Sequence, residues 1–253
     1  MKSAIVPSVT VEQMRDVDRL MIEEYGILLI QMMENAGRNL ATLVSTIAQA
    51  VSGKSVLVLA GMGNNGGGGL VAARHLSNMG AHVRVILSAA MDELHEMPAH
   101  QASILKKIGV EMLEWMPSEE SRLVATFGIS GIIVDALLGY SLDGAPRGGT
   151  ARLIEEANAS GKPIVALDVP SGLSATDARI YEPCISATAT LTLALPKTAL
   201  ASAEARAKSG QLYLADISVP TGLYHRLGIE LPTLFTGGSP IKLVWTPSGW
   251  MTD

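Results

Sequence analysis

The chain has 253 residues, 48% of them hydrophobic and 17% charged, with a net charge of −5. That much apolar material supports a sizeable core and excludes a disordered chain, and the length suits one large α/β domain or two small ones. The acidic balance, without any run of Lys and Arg, argues against nucleic acid, whose phosphates demand a concentrated positive surface.

The opening MKSAIVPSVT is too short and polar for a signal peptide. The uncharged stretch Pro183–Pro196 falls short of the roughly 20 residues of a membrane helix. A cytoplasmic protein without a membrane partner is expected. TVEQMRDVDRLMIEEYGI predicts a helix capped by Thr10, with Gln13 completing a capping box and Met14, Val17, Leu20 and Met21 on one face. A second helix is expected over about Leu28–Ala50. Its start, LLIQMMENAG, is apolar nearly all round, which fits either plain core or contact with a second copy in a homodimer.

From Ser55 the pattern changes. SVLVLA, HVRVILS, GIIVDAL, PIVALDV and ATLTLAL are nearly continuous apolar runs, as strands covered on both faces are. Between them LVAARHLSNMG, HQASILKKIG and TARLIEEANASG predict helices, stopped by Gly80, Gly109 and Gly161. The alternation predicts an α/β fold, a mostly parallel sheet with helices on both faces. QLYLADISVP predicts a last strand, and the Gly- and Pro-rich residues 221–253 are expected to be a tail packed on the surface. No linker interrupts the chain, so one domain is expected: a helical segment over 10–50, a nucleotide-binding core over 55–220 and the tail. Cys184, the one cysteine, is expected in the core. His75, His82, His95, His100 and His225 lack metal-ligand spacing.

Directly behind SVLVLA stands GMGNNGGGGL, with six glycines in Gly61–Leu70. Ligands of open parallel sheets sit at the carboxyl ends of strands, and a helix amino terminus favours an anion, so a phosphate-bearing ligand is expected there. Gly61, Gly63 and Gly66 match G-x-G-x-x-G, a weak pattern alone. The dinucleotide fingerprint also wants an acid about 20 residues on, and HVRVILS ends at Ser88 without one. A conventional hydride-transfer enzyme stays open as an alternative. Asp135 and Asp168 each end an apolar strand. A carboxylate there costs solvation unless paired, hydrogen-bonded or bound to a cation. Either Asp alone fits a turn cap; two at strand ends beside an Asn-Gly loop point to a shared site.

Six stretches in order, MMENAG (32–37), GMGNNGGGGLVAARHL (61–76), VDALLGYSLDGAPRG (134–148), ALDVPSGL (166–173), ATATLTLALPKTAL (187–200) and ADISVP (215–220), resemble the NAD(P)HX epimerase family, the YjeF amino-terminal domain. The resemblance implies a Rossmann-like three-layer sandwich, usually a homodimer. It implies interconversion of the R and S epimers of hydrated NADH or NADPH (NADHX and NADPHX), in which water has added across the nicotinamide ring. It implies a partner dehydratase that restores the S epimer, which is expected to be a separate chain. The resemblance places K+ on Asn65, Asp135 and Ser171, hard oxygen donors. It places substrate against Asn64, Asn65, Gly66, Gly67 and Gly68, against Gly139, Tyr140, Ser141, Leu142, Asp143, Gly144 and Ala145, and against Asp168. Asp168 is the candidate acid–base residue. The family's N-N-G-G-D-G-L departs here to Gly68 in place of the Asp. That leaves Asp168 alone or helped by Asp143, or else a catalytically silent nucleotide-binding or scaffold protein. Tyr140 stands where the family more often has a small residue, which narrows the pocket.

Overall fold

The apolar runs become strands buried on both faces, and the helices between them supply the cover; the computed structural model describes residues 3–253. In chain order the elements are β1 (Ile5–Val6), α1 (Val11–Glu23), α2 (Leu29–Ile47), β2 (Ser55–Ala60), α3 (Asn64–Asn78), β3 (His82–Leu87), α4 (Glu96–Lys107), β4 (Glu111–Glu114), α5 (Glu120–Gly128), β5 (Ile132–Ala136), α6 (Gly148–Ala159), β6 (Ile164–Leu167), β7 (Ala189–Leu193), α7 (Ala203–Ser209), β8 (Gln211–Ala215), α8 (Thr221–Arg226), β9 (Ile241–Thr246) and β10 (Gly249–Thr252). They form one sheet in the order β1-β10-β9-β8-β7-β6-β5-β2-β3-β4. From β8 to β4 the pairs are parallel, whereas β9, β10 and β1 add antiparallel strands. The chain runs outward from β2 to β4, then crosses back to β5. The switch point therefore lies between β2 and β5, where such sheets open a crevice at the strands' carboxyl ends.

Alternation divides the core between the two faces. Val56, Val58 and Val134 meet Leu40 and Val44 of α2, Leu70 and Leu76 of α3 and Leu105 of α4. Leu57, Leu59 and Ile133 point the other way, onto Leu123 and Phe127 of α5 and Leu153 and Ile154 of α6. A third cluster joins Met14, Val17 and Met21 of α1 to Leu212, Leu214, Leu243 and Trp250 of the antiparallel end, and takes in the buried Cys184. The Thr10–Gln13 capping box starts α1.

The residues expected as a surface tail, 221–253, instead form α8 and the hairpin β9–β10, which extends the sheet and buries Leu243 and Trp250. In IKLVWT only Leu243 is fully buried, so the run lacks the apolar density that marked the central strands. Outside that tail, β1, β4, α5 and α7 carried no clear signal. β4, at the sheet's edge, reads EMLE, with Leu113 its one buried residue. The apolar start of α2 divides: Met32 and Met33 are buried, whereas Leu28 is 56% exposed. Among the described residues no helix is long and apolar enough to cross a membrane.

Trp250 distinguishes a core hairpin from a surface tail. Trp250→Ala is expected to cost about 3 kcal/mol, as a buried aromatic does, against about 0.5 kcal/mol for an ordinary surface change. Urea unfolding of the two proteins measures it.

Candidate active site

Four strand ends meet at the switch point. Gly61 follows β2, Leu137–Ser141 follow β5, Asp168 follows β6, and Lys197 follows β7. With Met14 and Asp18 of α1 and Met32, Met33 and Ala36 of α2, they line a cleft of about 400 Å³, within the range of small-molecule sites.

The glycine run is not a loop. α3 begins at Asn64, so Gly66 to Gly69 are helical. Close approach explains two of these glycines. A Cβ on Gly66 would stand 1.9 Å from the Gly61 carbonyl oxygen, and one on Gly69 would stand 2.4 Å from Ala136 Cβ. The helix thereby starts directly against the ends of β2 and β5, and its free N–H groups and dipole open on the cleft. Gly63, Asn64, Asn65 and Gly68 line that cleft, whereas Gly67 packs toward Met33 and Pro98.

Asp168 and Lys197 form a buried ion pair. Lys197 is 0% exposed and Asp168 3%. The ammonium also donates to the Leu193 carbonyl at 2.9 Å and lies 5.7 Å from the centre of the Tyr140 ring. The second oxygen of Asp168 accepts the Tyr140 backbone N–H at 3.0 Å. Asp168 has φ +71°, a conformation uncommon for a residue with a side chain. Tyr140 donates its hydroxyl hydrogen to Asp18 at 2.6 Å. Burial raises the Asp18 carboxyl above the ordinary range; the Tyr140 hydrogen bond and the Lys197 charge oppose this, and Asp168 adds to it. Burial, then the Asp18 charge, push the Tyr140 phenol upward.

Behind the cleft, Asp135 is fully buried. It accepts the Ser171 N–H at 2.8 Å, the Ser171 hydroxyl at 2.6 Å and the Leu137 N–H at 3.2 Å. All three donors are neutral, and burial pushes the carboxyl up to about 6. Asn65 reaches the same strand ends, its amide nitrogen 3.4 Å from the Leu167 carbonyl. A carboxylate whose partners are all neutral, with a hydroxyl and an amide oxygen in the same region, fits a hard cation. Among the described residues no three His, Cys, Asp or Glu side chains form a metal-binding group.

A family model described as the YjeF-related protein N-terminus matches residues 29–199, more than half of the chain. The chain belongs to this family. The YjeF-related fold is shared with a solved yeast protein, ynu0, at TM-score 0.81 and 27% identity, covering 94% of this chain and 100% of that one. An NAD(P)H-hydrate epimerase of Dehalogenimonas lykanthroporepellens is 43% identical over 90% of this chain and 88% of its own. One of Rhodopirellula baltica is 35% identical, over 88% and 89%. A bifunctional NAD(P)H-hydrate repair enzyme of Moorella thermoacetica is 38% identical over 85% of this chain, which spans 41% of that enzyme.

The YjeF-related cleft gathers Asn64, Asn65, Gly68, Gly139, Tyr140, Ser141 and Asp168 from the expected substrate positions. Gly66, Gly67, Leu142, Asp143, Gly144 and Ala145 do not line it, and Asp143 and Ala145 are exposed. Asp135 and Ser171 lie directly behind, joined to each other. His95 lines the cleft too. Lys197 and Asp18 complete the cleft and are absent from the positions expected from the sequence. Lys197 had a signal, a lone charge in the apolar run LALPKTAL behind a strand. Asp18 had none, since it occupies an ordinary polar position on an amphipathic helix.

Lys197→Met tests the ion pair. It leaves Asp168 buried without its counter-charge, which typically costs about 3–5 kcal/mol. Adding Asp168→Asn should recover at least about 1 kcal/mol at pH 7.5. Denaturant unfolding of the single and double variants at pH 7.5 reads both effects.

Proposed function

We propose that the protein interconverts the R and S epimers of hydrated NADH and NADPH. The observation that carries this reading is Asp168, a carboxylate gripped by Lys197 and the Tyr140 N–H, in a switch-point cleft that also holds the amino end of α3. The names of the epimerases similar to this chain supply the substrate. The pyrophosphate is assigned to the free N–H groups of α3, as helix amino termini bind anions. The hydrated ring then reaches Asp168.

Water adding to an enamine double bond leaves its hydroxyl on the carbon bonded to nitrogen. Inversion there needs a proton delivered to the departing hydroxyl, giving water and an iminium ion. Water then adds to the other face and gives up a proton. Asp168 is assigned this proton traffic, because an acid–base group must lie within hydrogen-bond reach of the reacting oxygen. A potassium ion is proposed on Asn65, Asp135 and Ser171; when bound it supplies positive charge behind the loops that carry Asp168 and Tyr140.

A second reading, a silent nucleotide-binding protein, is favoured by Gly68, which stands where the family carries an Asp. The backbone at Gly68 is ordinary helix, and a Cβ there would approach the tip of Leu167 to 2.8 Å, a contact a flexible side chain relieves by a small shift. One assay, proton NMR of epimer equilibration, separates the readings. Wild type is expected to turn over slowly and to slow further when potassium is replaced by choline. Asp168→Asn should lose ~10²–10⁴-fold while still binding ligand. Gly68→Asp should gain at least about tenfold, ~1.4 kcal/mol of barrier. A wild type that binds but never equilibrates the epimers selects the silent reading.

A homodimer is also proposed, from the exposed Ile22, Tyr25 and Leu28 where α1 passes into α2. Light scattering at micromolar concentration should give twice the chain mass; a monomer removes this proposal. A separate dehydratase is the proposed partner, and a cytoplasmic location goes with that repair role.

A further inference from the structure

Tyr140 is tied down at both ends. Its backbone N–H is held by Asp168 and its ring lies beside the Lys197 ammonium, while its hydroxyl donates to Asp18 at 2.6 Å. A tyrosine hydroxyl has one hydrogen and two acceptor lone pairs. With the hydrogen committed to Asp18, the oxygen offers the cleft only acceptor capacity. We infer that the Asp18–Tyr140 hydrogen bond makes this phenol oxygen a dedicated acceptor for the ring hydroxyl of a hydrated nicotinamide, so that the site distinguishes hydrated from ordinary NADH. The inference rests on the function proposed above and adds its specificity determinant.

Chemistry limits what else this acceptor could select. The carboxamide and ribose donors are common to hydrated and unhydrated dinucleotides, so a contact with them favours neither. The ring hydroxyl is the donor that only the hydrate has. A site that leaves a polar group unpaired when that hydroxyl is missing discriminates strongly, whereas apolar contacts discriminate weakly. The surrounding charges keep the phenol protonated. Burial and the charges of Asp18 and Asp168 push its ionisation up, and Arg15 on α1 opposes this more weakly. Asp18 itself faces Tyr140, Lys197 and Asp168, and Tyr224 of α8 senses its charge. Asp18 is thus a positioning residue that acts through Tyr140.

The test compares dissociation constants for hydrated NADH and NADH in wild type, Tyr140→Phe and Asp18→Ala, with thermal melts to confirm folding. Tyr140→Phe removes the oxygen and keeps the ring; Asp18→Ala frees the hydroxyl hydrogen to turn into the cleft. The preference for the hydrate is expected to fall at least fivefold in each variant, with NADH affinity changed less than twofold. Equal weakening of both ligands overturns the inference, because a purely structural role or a carboxamide contact would do that. An unchanged preference in either folded variant overturns it as well. A wild type that epimerises hydrated NADH without preferring it refutes this inference alone. A wild type that neither binds nor epimerises it refutes the parent function too.

Discussion

Lys197 has no exposed surface, and the site is built around its ammonium. An ammonium taken out of water costs several kcal/mol unless good geometry offsets it. Here a carboxylate from the end of β6, a carbonyl from the end of β7 and a tyrosine ring from the loop after β5 do so. This requires three strands to end level with one another. The parallel register Leu167↔Leu191 brings β6 and β7 to that point, and the Asp168 N–H then donates to the Leu191 carbonyl at 2.7 Å. A slip of one residue would turn every side chain of a strand to the opposite face and part the pair. The positive φ of Asp168 is explained in the same terms. The bend sends its carboxylate to Lys197, and Asp tolerates that conformation better than bulkier residues do.

The glycines behind β2 serve the same assembly by a different route. Conformational freedom is not their use, since α3 is regular from Asn64. At Gly66 and Gly69 any side chain would enter the backbone or side chain of the neighbouring strand ends. Their absence of bulk lets the helix amino terminus sit against the sheet, close enough for its N–H groups to face the cleft that Asp168 and Lys197 close on the other side. A Gly-rich segment behind a strand therefore carries two meanings that sequence alone does not separate, a turn that needs unusual dihedrals and a helix that needs close contact.

That ambiguity marks the general limit of what was legible. The central strands were legible because burial on both faces demands dense Val, Ile and Leu, which leaves a pattern, and α3, α4 and α6 were legible from their periodicity and glycine stops. β4 and the β9–β10 hairpin were not, because an edge strand or a half-exposed hairpin needs few apolar residues and takes its stability from pairing with neighbours. In the site, Asp135 and Asp168 stood out as acids at the ends of apolar runs. Lys197 had the same signature, yet a lysine in an apolar segment gains its meaning only with its partner, 29 positions away. Asp18 lay beyond reach for a stronger reason. Its partner Tyr140 is 122 positions distant, and an aspartate on the polar face of α1 is unremarkable by residue type.

The distribution of charge underlies the proposed placement of the acid–base chemistry. The acids of the site, Asp18, Asp135 and Asp168, all stand on the side formed by α1 and the ends of β5 and β6. Burial raises Asp18 and Asp135, so each ionised carboxylate there needs a compensating donor or cation. Asp18 has the Tyr140 hydroxyl, Asp168 has Lys197, and Asp135 has only neutral hydrogen bonds, which is the electrostatic case for the proposed potassium ion. The other side, the first turns of α3, carries no acid, since Asn64 is followed by Asn65 and four glycines. A carboxylate at Gly68 would bring negative charge within two turns of the helix end assigned to the pyrophosphate. Without it that end keeps its full attraction for an anion, and the proposed proton transfer rests entirely on the opposite wall. Gly68, standing where the family carries an acid, thereby leaves a cleft with one wall proposed for an anion and one proposed for acid–base chemistry, a polarity matched end to end by a dinucleotide whose ring hydroxyl lies far from its phosphates.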